Sequence, residues 1–132
     1  MNDTENQCLF CATPPASRIA ENQLAYAIRD NYPVTPLHSL VIPKRHVEDY
    51  FGLEEDELLH CNQLLCELKQ AIMAKDETVC GFNVGMNAGA VAGQTIFHCH
   101  IHLIPRREGD NSNPRGGVRG VIPSKADYTR YV

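Results

Sequence analysis

Residues 96–104 read Ile-Phe-His-Cys-His-Ile-His-Leu-Ile, so His98, His100 and His102 recur at every second position between apolar neighbours. A strand sends alternate side chains to opposite faces. The run therefore predicts a strand over 96–104, with Phe97, Cys99, Ile101 and Leu103 turned to a core and Ile96, the three imidazoles and Ile104 on the other face. As a helix it would turn successive histidines by about 200° and split the apolar set, so the period of two is the better reading. Three imidazoles on one face imply acid-base or nucleophilic chemistry, or a metal; satisfied surface histidines are the plain alternative. Positions two apart on a strand are about 6.6 Å apart, so His98 and His102 start about 13 Å from each other and the trio cannot chelate one ion along a straight strand. A neighbouring pair with a third ligand can, which keeps a catalytic zinc with an open position as an alternative, although no nearby Glu supplies the base of many metallohydrolases.

The preceding stretch, Gly85-Met86-Asn87-Ala88-Gly89-Ala90-Val91-Ala92-Gly93-Gln94-Thr95, combines glycines with neutral donors at Asn87, Gln94 and Thr95. Glycine lets a backbone approach a ligand closely, and such a turn suits phosphate oxygens; a tight turn between two strands is the simpler reading of it alone. Cys8 and Cys11, with two residues between them, are half of a tetrahedral zinc site, and a redox pair or packed thiols are equally open. Burial explains Cys61, Cys66, Cys80 and Cys99.

The elements that must position these residues follow from periodicity. Residues 18–21 and 24–29 around Asn22-Gln23 predict a hairpin, and 30–38, with Pro33 and Pro36, predict a loop into a strand at 39–42. Residues 53–75 predict one helix, with Leu58, Cys61, Leu65, Leu68 and Ile72 on its buried face, acidic residues at 54–57 favouring the helix dipole, and a weak N-cap. Residues 81–87 alternate Phe82, Val84 and Met86 against small partners, a further strand, and 88–93 turn into the histidine run. Strands with no helix between most neighbours predict an α+β domain: an antiparallel sheet of about five strands with one main α-helix.

At 132 residues and 43% hydrophobic content the chain suits one compact domain without internal repeats. No run is long enough to cross a membrane, and the polar residues 1–7 lack a signal-peptide pattern, so a cytoplasmic, reducing setting is expected, in which cysteines fill cores or bind metal. The net charge of −4 argues against nucleic acid as a partner, yet residues 105–132 carry 6 basic and 3 acidic side chains. Arg106, Arg107, Arg115, Arg119, Lys125 and Arg130 are thus candidates to hold an anionic ligand, against the simpler reading of a solvated extension.

AGQTIFHCHIHLIPR, preceded by GMNAGA and PVTPLHSLVIPKRH, closely resembles the histidine triad (HIT) family, whose mark is His-x-His-x-His followed by two apolar residues. The resemblance spans roughly residues 8 to 107; this gives a histidine triad domain at 1–107 and a C-terminal extension at 108–132 packing on it, without a motif of its own. Leu103-Ile104-Pro105-Arg106 is most similar to bacterial relatives of dinucleoside polyphosphate hydrolases, and His102 differs from the Gln of the uridylyltransferase branch.

The resemblance implies attack by His100 on phosphorus, with its far ring nitrogen donating to a backbone carbonyl. It implies phosphate donors at His102 and His38, contacts from Asn87, Gln94 and Thr95 to phosphate or leaving-group oxygens, and a ribose acceptor at Asp30. A neutral imidazole is a competent nucleophile near pH 7, since its unperturbed pKa is about 6.5. It further implies structural zinc on Cys8, Cys11, His46 and His98, no organic cofactor, and a homodimer. Hydrolysis of diadenosine tetraphosphate-like substrates with release of AMP is the expected activity; adenosine phosphoramidate hydrolysis, and a non-catalytic nucleotide- and zinc-binding module, are the alternatives.

Overall fold

The computed structural model describes residues 7–129; residues 1–6 and 130–132, Arg130 among them, lie outside it. The asparagine turn expected after residue 21 forms: Asn22 Oδ1 accepts the backbone N–H groups of Leu24 and Ala25 at 3.2 and 2.9 Å. It joins strand β1, Ala20–Glu21, to β2, Ala25–Arg29. The proline-rich loop then leads into β3, Ser39–Pro43; helix α1, Glu55–Lys75, follows, then β4, Val79–Gly85, and β5, Ile101–Arg107. The five strands lie in the order β1-β2-β3-β5-β4, and every neighbouring pair is antiparallel. This is the expected architecture, one antiparallel sheet with one main helix.

Both sheet faces are covered, which explains why all of β3 is buried rather than alternating. On one face Ala25, Ala27, Val41, Ile101 and Leu103 pack with Cys61, Leu64, Leu68 and Ile72 of α1. On the other, Tyr26, Leu40 and Ile42 pack with Phe10 from the segment before β1, flanked by Cys8, Ile28 and Ile96. His102 sits opposite Leu40 in the β3–β5 register, and so belongs to this second face, away from the helix.

Three expectations need correction. The histidine run is a strand only from Ile101, because the chain before it leaves the ladder to let the Cys99 N–H donate to the Val47 carbonyl at 2.7 Å; Phe97 is 43% exposed, whereas Cys99, Ile101 and Leu103 are buried as expected. The helix starts at Glu55, preceded by a 3-10 turn at Tyr50–Gly52, and its start is well fastened. The Glu57 carboxylate accepts from the Glu54 backbone at 2.8 Å and from Arg45 Nε and Nη2 at 3.0 and 2.7 Å. Because Glu57 turns inward to meet Arg45, the buried stripe is Glu57, Cys61, Leu64, Leu68 and Ile72, with Leu64 in the place expected of Leu65. Of the four cysteines assigned to burial, Cys61 and Cys99 are buried but Cys66 and Cys80 are exposed, since their positions on α1 and edge strand β4 face away from the core.

No helix of the described residues is long and apolar enough to cross a membrane. The C-terminal stretch folds back as two 3-10 turns, Gly117–Val121 and Pro123–Lys125, the first against β4. Because Leu64 is fully buried and Leu65 only partly, Leu64→Ala is expected to cost about 2–5 kcal/mol in denaturant unfolding and Leu65→Ala clearly less; equal losses would contradict the assigned helix face.

Candidate functional site

The His100 ring is fixed by its own backbone. Nδ1 lies 2.7 Å from the carbonyl of His98, and a carbonyl only accepts, so Nδ1 carries a hydrogen and, in the neutral ring, Nε2 keeps its lone pair. The ring lines a cavity of about 660 Å³ together with His102, Asp30, Asn87 and Thr95. Phe10, Ile19, Ile28, Leu40 and Ile96 add an apolar wall, and Arg29, Asn31 and Tyr32 also line the cavity.

Behind His100 stands a chain of polarised groups. The Val34 N–H donates to His38 Nδ1 at 3.0 Å, which leaves the hydrogen of the neutral His38 ring on Nε2. That nitrogen is 2.9 Å from His102 Nδ1 and donates to it, so the remaining hydrogen of His102 is on Nε2. Burial above all, then the neighbouring His100 and His38, pushes the His102 pKa down to about 4. His102 is therefore a neutral N–H donor at physiological pH. His38 is itself only 2% exposed, and burial lowers its pKa as well.

Backbone geometry aims His38. Leu37 takes the left-handed φ of 72°, a conformation that costs an L-residue roughly 1–2 kcal/mol, and the turn lets the His38 N–H reach the Thr35 carbonyl at 3.1 Å. Asp30 Oδ2 is 3.5 Å from His38 Nε2 while its Oδ1 accepts the Tyr32 N–H at 2.8 Å. Ligand-type atoms of Asp30, His38 and His102 lie within 4.8 Å of one another. The Val34 bond makes His38 Nε2 a donor, so His38 and His102 form a hydrogen-bond relay with the Asp30 carboxylate 3.5 Å from its central nitrogen.

His98 faces a different centre. It is fully buried, and its Nε2–H donates to the Pro43 carbonyl at 2.8 Å, so Nδ1 is the free donor atom. Around Nδ1 stand Cys8 Sγ at 3.3 Å, Cys11 Sγ at 3.5 Å and His46 Nδ1 at 3.2 Å, with Cys11 Sγ to His46 Nδ1 also at 3.2 Å. Tetrahedral zinc with ordinary Zn–S and Zn–N bonds needs neighbouring ligand atoms about 3.3–3.8 Å apart, close to the distances found here, so this set fits zinc. All four positions would then be protein ligands, which leaves none open for chemistry. The alternation of the triad thus divides its roles: His98 joins the Cys8–Cys11 turn, while His100 and His102, with ring centres 5.3 Å apart, line the cavity.

The glycine turn contributes Asn87, Gly93 and Thr95 to the cavity but not Gln94. Gln94 is 4% exposed; its Nε2 donates to the carbonyls of Glu48 and Ile96 at 2.6 and 3.1 Å, and its Oε1 accepts the Gly89 N–H at 2.8 Å. With every amide position engaged, Gln94 clamps the loop, whose positive φ at Gly89 and Gly93 only glycine adopts readily. Sequence reasoning misses the apolar wall: Phe10, Ile19 and Ile28 come from segments without a motif, and the only hint at Phe10 is its place between two cysteines.

A second cavity, about 560 Å³, meets His102 and Asn87 from the other side and is lined also by His38, Asn83, Arg106 and residues of the C-terminal turn such as Val118 and Val121. The basic residues leading into the tail are not free for an anion there. Arg106 donates to both Asp110 oxygens, at 2.8 and 2.7 Å, and to Asn83 Oδ1 at 2.7 Å, and Arg107 is paired with Asp76 at 2.9 Å.

The chain is similar to known proteins in sequence and in fold. Residues 12–109 match the HIT domain. A HIT family protein from Bacillus anthracis is similar in structure with a TM-score of 0.73, at 37% identity, over 80% of this chain and 77% of that one. A zinc-bound histidine triad family protein from Mycobacterium smegmatis also has a TM-score of 0.73, at 34% identity, over 83% and 81% of the two chains. In sequence, an adenylylsulfatase of Arabidopsis thaliana is 37% identical over 114 residues, covering 80% of this chain and 55% of that protein. The domain match and these identities over most of the chain settle one point: the protein belongs to the HIT family.

Proposed function

We propose that this protein hydrolyses adenosine nucleotides substituted at the α-phosphate, with dinucleoside polyphosphates of the diadenosine tetraphosphate type as substrates, through a nucleotidyl-His100 intermediate. The observation that carries the proposal is the bond from His100 Nδ1 to the carbonyl of His98, which in the neutral ring leaves the lone pair on Nε2, on a ring that lines the 660 Å³ cavity. Nε2 attacks the α-phosphorus, an Nε2–P bond forms, and the bond from phosphorus to the leaving oxygen breaks. Water then attacks phosphorus, releases AMP and returns the ring. His102 supplies an Nε2–H to the phosphoryl oxygens, held in that tautomer by His38, so His38 acts through His102. Asn87 and Thr95, which line the cavity, add neutral donors in this reading, and Asp30 accepts from ribose hydroxyls.

The state of His102 bears on the leaving group. A phosphoanhydride departs as an anion and needs hydrogen bonds rather than a net proton, which a neutral His102 provides. A phosphoramidate nitrogen must gain a proton, which a ring with a pKa of about 4 does not carry in excess at neutral pH. One observation favours phosphoramidates as the second reading: Arg106 in the 560 Å³ cavity already donates to Asp110 and Asn83 through all three of its nitrogens, which suits a leaving group of low charge. Zinc held by Cys8, Cys11, His46 and His98 would stabilise the fold around His98 and take no part in the bond changes.

With diadenosine tetraphosphate and an adenosine phosphoramidate as substrates, the wild type is expected to release AMP, and His100→Ala to lose at least about a thousandfold in kcat/KM. AMP release undiminished in His100→Ala would contradict the mechanism; binding without turnover would favour a nucleotide-binding module. Elemental analysis is expected to find zinc in the wild type and its loss in Cys8→Ser, and equal zinc in both would remove Cys8 from the ligand set.

A further inference from the structure

One buried aromatic side chain stands at the junction of the zinc-type ligand set and the 660 Å³ cavity, and its role rests on the reading of that cavity as a nucleotide site. Phe10 is the second residue between Cys8 and Cys11 and is 3% exposed. Its ring stands edge-on to His100 at 5.0 Å between centres and to His98 at 5.9 Å, and it also walls the cavity. One side chain therefore touches the proposed nucleophile, a member of the metal-ligating set and the nucleotide space.

The turn that carries Phe10 lies outside the sheet. Internally it is closed by the Ala12 N–H to the Cys8 carbonyl at 3.1 Å and the Thr13 hydroxyl to the Leu9 carbonyl at 3.2 Å. It is fastened to the rest of the fold by the Tyr26 hydroxyl donating to the Phe10 carbonyl, by Arg18 Nη2 donating to the Thr13 carbonyl at 3.2 Å, and by the approach of both thiols to His46 and His98. The thiol contacts lie on the two residues that bracket Phe10, so whatever draws the four ligands together also sets the position of that ring.

We propose that Phe10 is a positioning residue that couples the two centres: closing Cys8, Cys11, His46 and His98 around zinc seats Phe10 against the His100 ring and completes the cavity wall, so zinc and nucleotide bind cooperatively. The contact is of a kind that restricts ring rotation, since an aromatic edge packed at interior density leaves an imidazole one orientation. A parallel route exists, because the carbonyl that holds His100 belongs to the ligand His98. Substituting Phe10 separates the two routes, since only one passes through its ring.

Zinc affinity of the full chain, measured by chelator competition with and without saturating AMP, tests the coupling. AMP is expected to tighten zinc on the order of tenfold in the wild type, and zinc to tighten AMP by the same factor, because linkage between binding sites is reciprocal. In Phe10→Ala and Phe10→Leu the zinc site is expected to remain and the coupling factor to fall to within about twofold of unity. Phe10→Leu keeps apolar bulk without an aromatic edge, and so preserves the test if the alanine variant does not fold. A second readout needs no nucleotide: NMR exchange of the His100 Nδ1 proton is expected to be slow in the zinc-loaded wild type and clearly faster in zinc-loaded Phe10→Leu. Absence of coupling in the wild type, or undiminished coupling and unchanged proton exchange in the variants, overturns the proposal. Failure of AMP to bind would count against the nucleotide reading of the cavity, while proton exchange still decides the role of Phe10.

Discussion

The hydrogen bond from His100 Nδ1 to the carbonyl of His98, at 2.7 Å, is the constraint on which the site depends. It settles the tautomer of an imidazole whose two nitrogens are otherwise interchangeable, and it does so with backbone two residues away, so no additional side chain is needed to activate Nε2. Its acceptor is itself held in place. The His98 side chain is fully buried and anchored to Pro43 on one nitrogen and surrounded by Cys8, Cys11 and His46 on the other. The carbonyl that holds the His100 ring thus belongs to a residue whose side chain sits in a donor set that fits zinc.

The sheet makes this possible by being covered on both faces. Residues 99, 101 and 103 bury a thiol and two aliphatic side chains on the side of α1, which forces 98, 100 and 102 to the other side. There the turn before β1 provides cover, with Phe10 packed on Tyr26, Leu40 and Ile42. A turn is a thin layer, and the gap beside it is the cavity. The relay from Val34 through His38 to His102 ends in a neutral, directed N–H group. Burial keeps those rings neutral, so the site presents fixed dipoles to an anionic phosphoryl group without the desolvation cost of buried cations.

Much of this was legible in the sequence because it is periodic. The strand from Ile101, the hairpin at Asn22, the proline loop and the long helix each follow from a repeat or a local turn preference, and the structure has all of them. What was not legible depends on partners distant in the chain. Glu57 and Arg45 turn the first helical turn inward and put Leu64 in the place expected of Leu65. Val47 draws Cys99 out of the ladder, which shortens β5 and leaves Phe97 exposed. Gln94 carries the right chemistry for phosphate, but Glu48, Ile96 and Gly89 occupy its amide. Likewise Arg106 and Arg107 look available for an anion only until Asp110, Asn83 and Asp76 are brought beside them. Residue type states what a side chain can bond; only the fold states whether that capacity is already used.

Nitrogen-15 NMR of the imidazole rings in the zinc-loaded protein near neutral pH reads the decisive feature directly, since protonated and unprotonated ring nitrogens resonate far apart. The hydrogen of His100 should be found on Nδ1, with Nε2 unprotonated. A ring that carries its hydrogen on Nε2 would have no lone pair facing the cavity, and nucleophilic attack from residue 100 would be ruled out in that state.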